Sequence, residues 1–216
     1  FCRLFSSFLL LIRITNNNSG ETVFFEGTLT LKDSVGTGVL TGGKGASNKG
    51  GAVYVYNGTF TMDGGTISGN SATYGGAVYL PNASGKFIMN GGAISGNTAT
   101  YGGGVYAYNG SAVTMNGGTI YGNSATYGGG VYANKNAVVT MDGGTISGNT
   151  ASHGGGVYSV ESTLTMNSGT ISDHVIGGYG GGVYINGGIF TMDGGTVENN
   201  SASNGGGIFI QTGAKG

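Results

Sequence analysis

Cysteine, proline and charged residues are all scarce in this chain of 216 residues. The single cysteine, Cys2, cannot form an internal disulfide or a cysteine-based zinc site. The single proline, Pro81, excludes a collagen-like chain, which needs abundant proline beside its periodic glycine. Charged residues make up 8% of the chain, eight basic and nine acidic. This balance argues against nucleic-acid binding, which depends on a basic surface.

Glycine, in contrast, is abundant and accounts for 50 of the 216 residues. Because glycine is a poor helix former, this content argues against an α-helical core. Disordered glycine-rich chains have few apolar and aromatic residues. This chain is 38% hydrophobic and contains 13 tyrosines and 9 phenylalanines. It therefore has the composition of a folded protein with little helix.

Two motifs repeat along the chain at intervals of 25 to 27 residues. The first contains all six methionines, in segments such as TMDGG and IMNGG: Met62, Met89, Met115, Met141, Met166 and Met192. The second is a Gly-Gly-Ala/Gly segment followed by an apolar anchor and an aromatic residue. Its anchors are Val53, Val78, Val105, Val131, Val157, Val183 and Ile208. A repeat of this length is typical of a solenoid in which each unit packs on the next.

Each repeat contains three short runs in which apolar and polar residues alternate, which is the pattern of β-strands with one buried face. Val53 and Met62 are expected to face inward and Tyr54 outward. A unit with one apolar face buries it by stacking on its neighbours at about 4.8 Å. We therefore predict an all-β fold, a right-handed parallel β-helix with about 26 residues per coil and six to seven coils.

The repeat pattern divides the chain into two regions. Residues 21–216 are expected to form the β-helix domain, truncated at its C-terminus because the repeat after Ile208 is incomplete. An uncovered last coil would expose unpaired backbone and allow end-to-end self-association. Residues 1–20 contain an apolar run between Arg3 and Arg13. This segment fits either the remnant of a secretory signal or an apolar cap over the first coil.

The main candidate for a contact surface is a column of outward tyrosines, one beside each apolar anchor. The column consists of Tyr54, Tyr79, Tyr106, Tyr132, Tyr158 and Tyr184. Exposed tyrosines in register can stack on sugar rings or contact a protein. Alternatively, they stabilise the sheet by packing across strands. A second set precedes the glycines of each repeat: Tyr74, Tyr101, Tyr127, His153 and Tyr179.

The remaining polar columns are interpreted as structural. The residues after the methionines are interpreted as turn residues: Asp63, Asn90, Asn116, Asp142, Asn167 and Asp193. Their aspartates lie too many coils apart for paired acid–base catalysis. The corner asparagines are expected to hydrogen-bond along the rod: Asn70, Asn97, Asn123, Asn149 and Asn199 or Asn200.

The histidines suggest neither a metal site nor a cofactor site. His153 and His174 lie in different repeats, and neither has a second His or Cys partner. Asp173 and His174 interrupt the corner turn found in the other repeats, and we interpret them as a variant loop. We therefore predict no catalytic, metal-binding or cofactor-binding residues.

Residues 87–94, FIMN followed by GGAI, resemble paired repeats of the polymorphic outer-membrane protein family of chlamydiae. They are still more similar to the related Gly/Asn-rich β-helix repeats of large surface proteins in gut anaerobes and some protists. The resemblance covers roughly residues 50–216. It implies a secreted passenger domain that mediates adhesion at an outer membrane or cell wall, with no catalytic residues.

From this resemblance and the repeat we expect a structural or adhesive passenger of a secreted or cell-surface protein, not an enzyme. Its partners would be glycans or proteins of a host or neighbouring cell surface. The alternative is a carbohydrate-active enzyme, a polysaccharide lyase or glycoside hydrolase, built on the same fold.

Overall fold

The computed structural model describes residues 3–4, 23–33, 36–45 and 49–211 of the chain. These residues form β-strands joined by turns, and they contain no helix, so none long and apolar enough to cross a bilayer. Apart from Arg3–Leu4, the expected N-terminal segment 1–20 lies outside the described residues. In chain order the strands are β1 Arg3–Leu4, β2 Val23–Leu31, β3 Val39–Thr41, β4 Val53–Met62, β5 Thr66–Ser68, β6 Ser71–Tyr74, β7 Val78–Leu80, β8 Gly85–Met89, β9 Ala93–Ser95, β10 Thr98–Tyr101, β11 Val105–Tyr108, β12 Ala112–Met115, β13 Thr119–Tyr121, β14 Ser124–Tyr127, β15 Val131–Asn134, β16 Val138–Ser147, β17 Val157–Ser172, β18 Val183–Met192, β19 Thr196–Glu198 and β20 Ile208–Gln211.

The strands stack in parallel on their counterparts from neighbouring repeats. In β11, Val105 pairs with Val78 of the preceding repeat and with Val131 of the following one. The same in-register pairing continues along the chain and produces a β-solenoid of about seven turns, with about 26 residues per turn. The predicted parallel β-helix is therefore confirmed. Its right-handed sense stays a prediction from the general handedness of parallel crossovers.

In the described residues, three coils contain a fourth strand besides the three that the sequence predicted, and the later corners pair only through isolated bridges. An anchor strand such as β11, a methionine strand such as β12 and a short strand such as β13 follow one another. The fourth is a corner strand, which the sequence analysis treated as a polar turn. Corner strands β6, β10 and β14 form a separate parallel three-stranded sheet. Stacking makes this segment a strand, since each corner hydrogen-bonds to its copies above and below.

The interior of the solenoid consists of columns of identical or similar side chains. The methionines pair in register from Met62 to Met192. The first five are at most 2% exposed, whereas Met192, near the end of the described chain, is 42% exposed. Removing such a side chain from water contributes about 1.5–3 kcal/mol. The predicted methionine column is thus a continuous part of the core.

Glycines allow neighbouring coils to approach closely beside the corner strands. A Cβ atom on Gly103 would lie 2.5 Å from the carbonyl oxygen of Gly129 and 2.8 Å from that of Ser124. These are backbone atoms in the next coil, so they cannot move aside as a flexible side chain could. The preceding Gly102 has φ +67°, a conformation that favours glycine. The first two glycines of the motif are therefore required by the backbone conformation and the coil-to-coil contact.

Candidate functional site

The expected exposure of the tyrosine column beside the anchors is wrong. Its side chains do point away from the apolar core, as the alternation predicted. However, five of them are only 4–7% exposed: Tyr79, Tyr106, Tyr132, Tyr158 and Tyr184. The sixth, Tyr54, is half-buried. We call these six residues the inner tyrosine column.

The inner tyrosine column is buried because a second aromatic column covers it. The corner strands bring Tyr74, Tyr101 and Tyr127 over it, and His153 and Tyr179 continue this outer aromatic column. The ring of Tyr101, for example, lies 6.2 Å from that of Tyr106 and 5.5 Å from that of Tyr132. The two columns form a second hydrophobic cluster outside the apolar interior.

The rings also stack along the rod within each column. In the outer column, Tyr101 has Tyr74 on one side and Tyr127 on the other, both at 5.5 Å and nearly parallel. In the inner column, Tyr79 and Tyr106 stack at 5.2 Å. Offset stacking of this kind contributes about 0.5–1.5 kcal/mol per pair beyond area burial. The inner tyrosine column is buried, and Tyr101 has a ring against each of its faces, so these residues do not offer free faces on which a sugar ring could stack.

Burial also changes the acidity of the inner tyrosines. The pKa values of Tyr79, Tyr106 and Tyr132 are all raised, first because burial disfavours the phenolate and second because neighbouring tyrosines would add like charge. The pKa of Tyr158 is raised for the same leading reason. The inner column therefore stays neutral and serves as packing.

The part of this region that faces solvent is the corner face, which we define as β6, β10 and β14 together with the outer aromatic column. Ser71, Thr98 and Ser124 are exposed and occupy the same position in successive coils. An open recess of about 450 Å³ lies here, lined by residues 71–73 and 98–100 with Lys44 and Gly45. Apart from Lys44, its lining is hydroxyl, methyl and backbone. This surface can donate and accept hydrogen bonds but carries little charge.

A buried asparagine ladder runs through the opposite side of each corner, as the sequence predicted. The Oδ1 atom of Asn97 accepts hydrogen bonds from the backbone N and the Nδ2 of Asn70, at 3.0 and 2.8 Å. Asn97 in turn donates to Oδ1 of Asn123, and Asn123 donates to Oδ1 of Asn149. These four asparagines are at most 2% exposed. The ladder satisfies polar groups that would otherwise be buried without partners.

His174 occupies the next position of this ladder, a role that its interpretation as part of a variant loop did not include. Its ring nitrogens lie 3.2 Å from Nδ2 of Asn149 and 2.8 Å from Oδ1 of Asn200. Asp173 adopts φ +61° and thereby reproduces the backbone of Gly148, which precedes Asn149 with φ +55°. The spacing to Asn149 and Asn200 was the sequence signal that could have placed His174 here.

The column after the methionines forms a second, exposed ladder rather than bonding its own turn. Asn90 donates to Oδ1 of Asp63 at 2.8 Å, and Asn116 donates to Oδ1 of Asn90 at 2.8 Å. Asn167 donates to Asp142 in the same way at 2.7 Å. The residues are therefore structural, as predicted, but through contacts between coils. Across the described part of the chain, no three His, Cys, Asp or Glu side chains come together as a metal-binding group would require.

Comparison with protein-family models, with curated proteins and with solved structures gave no match to this chain.

Proposed function

We propose that this protein is a structural and adhesive rod, the passenger part of a secreted or cell-surface protein. The observation that carries the proposal is the corner face, where Ser71, Thr98 and Ser124 place exposed hydroxyls at the same position of three successive coils. A partner can therefore bind several coils at once, and many weak contacts together give a higher affinity than any one of them. The resemblance of residues 87–94 to surface-protein repeats supports the same reading.

The partner that suits this surface is an uncharged, hydroxyl-rich one, a glycan of a host or neighbouring cell, bound by hydrogen bonds along the recess. Sugar stacking on the inner tyrosine column plays no part in the proposal, since five of its six side chains are at most 7% exposed. A protein partner would use the same hydroxyls and the edges of the outer tyrosines. Self-association is a separate part of the proposal, and its candidate contact is the apolar surface of the exposed Ile189 and Ile210. Sedimentation at increasing protein concentration tests it, and a monomer throughout would refute it.

The test of adhesion is a glycan array probed with the soluble protein. Thr98→Arg places a bulky charge in the recess, and we expect it to abolish binding. Thr196→Arg is the matched control, because Thr196 is exposed on short strand β19, away from the corner face. Binding that survives Thr98→Arg, or no binding to any glycan or cell surface, would refute the proposal.

A polysaccharide-cleavage screen on the same protein tests the enzymatic alternative. Bond cleavage that is lost in Asp173→Ala or His174→Ala would replace adhesion with a carbohydrate-active function.

A further inference from the structure

The buried ladder contains one titratable side chain among amides. His174 is fully buried, with 0% exposure. Four asparagines precede it in the column, and Asn200 follows. A neutral amide keeps its donors and acceptors at any physiological pH, whereas an imidazole gains a donor and loses an acceptor when it is protonated. The pattern of hydrogen bonds around His174 therefore depends on its proton count.

The neighbours of His174 fix which nitrogen carries the proton in the neutral form. Asn149 must present its Nδ2 to the ring, because its Oδ1 already accepts two hydrogen bonds from Asn123, both at 2.9 Å. The Nε2 atom of His174 is then the acceptor. On the other side, Oδ1 of Asn200 accepts from the backbone N and from Nδ1 of His174. The neutral ring with its hydrogen on Nδ1 satisfies both partners.

Protonation creates a conflict that these neighbours cannot relieve. A hydrogen on Nε2 would point at the Nδ2 donor of Asn149. Turning the amide of Asn149 would break its bonds to Asn123 and the 3.0 Å bond from its Nδ2 to the carbonyl oxygen of Ile120. The ring has little room to withdraw, because His174 is fully buried. When two donors face each other in a buried site, their hydrogen bond is lost, and each unsatisfied donor carries the cost of its removal from water.

The corner around His174 is also less regular than corner strands β6, β10 and β14. Val175 is 72% exposed, and it pairs with Ser201 only through an isolated bridge instead of a corner strand. Asp173 is the charged group that acts on the ring, and its carboxylate accepts a hydrogen bond from Ser172. Asn149 and Asn200 contact the ring nitrogens, and Gly155 and Gly156 lie beside the ring.

From this geometry we propose that His174 makes the rod acid-sensitive: protonation breaks the ladder between Asn149 and Asn200, and the coils that follow His174 open from those that precede it. The proposal concerns a conformational response of the fold and is independent of what the corner face binds.

The direction of the pH dependence follows from burial. Burial lowers the pKa of His174 below its ordinary value of 6.5, and the bond to Asn200 and the charge of Asp173 oppose this only in part. The unfolded chain therefore takes up the proton first as the pH falls. Stability is fully present above about pH 6.5 and declines as the pH falls toward the lowered pKa, by up to about tenfold in the folding equilibrium constant per pH unit.

The test compares three proteins by hydrogen exchange, read as protection factors of the backbone amides, between about pH 7.5 and pH 5. In the wild type we expect protection of the coils after His174 to fall with pH, up to about tenfold per unit, while the coils before Asn149 change less. His174→Asn restores the amide found in the other corners, so its protection should be independent of pH in this range. His153→Tyr, which restores the outer aromatic column, controls for the other histidine and should behave as the wild type does.

Two outcomes would overturn the proposal. One is a His174→Asn variant with the same pH dependence as the wild type. The other is an NMR titration in which the ring of His174 takes up its proton at or above the ordinary histidine pKa without loss of protection. The second measurement uses the unaltered protein, so it decides the matter even where a variant folds poorly.

Discussion

Replacing one asparagine of the buried ladder should destabilise the protein far more than replacing one in the exposed ladder. The chain offers a matched pair in a single coil, Asn97 and Asn90. Each side chain links its coil to both neighbouring coils through amide hydrogen bonds. Asn97 bonds to Asn70 and Asn123 in a buried site, and Asn90 bonds to Asp63 and Asn116 at the surface. The two substitutions, Asn97→Ala and Asn90→Ala, therefore differ in burial and in the number of hydrogen bonds that are lost.

The magnitude follows from the groups that lose their partners. In Asn97→Ala, the buried backbone N–H of Asn70 loses its acceptor, and the carbonyl oxygen of Ile67 loses the donor at 3.0 Å. The side-chain amide of Asn70 is less affected, because it also donates to the carbonyl oxygens of Leu40 and Ser68. An unsatisfied buried group costs about 1–3 kcal/mol. We expect Asn97→Ala to lower the free energy of unfolding by about 2–4 kcal/mol. Asn90→Ala should stay within about 0.5 kcal/mol, since water replaces the lost partners.

Urea unfolding of both variants and the wild type measures this difference. Because coils can unfold in stages, hydrogen exchange at the backbone N–H of Asn70 supplies a local readout beside the global one. Faster exchange at Asn70 is expected in Asn97→Ala alone. Equal losses of stability in the two variants would show that the contribution of the buried ladder to the free energy of unfolding does not depend on its burial.

Two further predictions concern the glycines and the tyrosines. Gly103→Ala forces a Cβ against the carbonyl oxygens of Gly129 and Ser124. We therefore expect urea unfolding to show a loss of stability of several kcal/mol, roughly the scale of overpacking. A variant as stable as the wild type would show that the coils can separate there. The inner tyrosine column has raised pKa values, so the unfolded chain ionises first and stability should be complete below about pH 10 and decline above it. An absorbance titration at alkaline pH, with phenolates forming only as the protein unfolds, checks this, and early ionisation of the folded protein would contradict it.

The interior of the rod could be predicted because it depends on one local rule repeated many times. Strict alternation and a period near 26 residues place Met115 on Met89 and Ile120 on Ile94, and the structure has both pairs in register. A stack of identical units leaves little choice of partner, since any slip by one residue would turn the apolar side chains outward. The fold therefore followed from spacing alone.

The burial of the inner tyrosine column could not be predicted in the same way. Alternation correctly turns Tyr106 away from the apolar core, but it does not state what lies on the other side. That depends on the path of the corner strand, which brings Tyr74 and Tyr101 over Tyr106 at 5.8 and 6.2 Å. The corner segment has small polar residues that read as a turn. It becomes a strand only through its pairing with neighbouring coils.

His174 shows where a repeat is most informative. In a solenoid, each residue lies between the equivalent residues of the neighbouring coils. Those residues show which hydrogen bonds the position has to make. Asn123, which accepts from Asn97 and donates to Asn149, shows that this position needs an acceptor toward the preceding coil and a donor toward the following one. Neutral imidazole meets that requirement and imidazolium does not. Replacing the repeated asparagine with a histidine at this buried position therefore makes the stability of the ladder depend on pH.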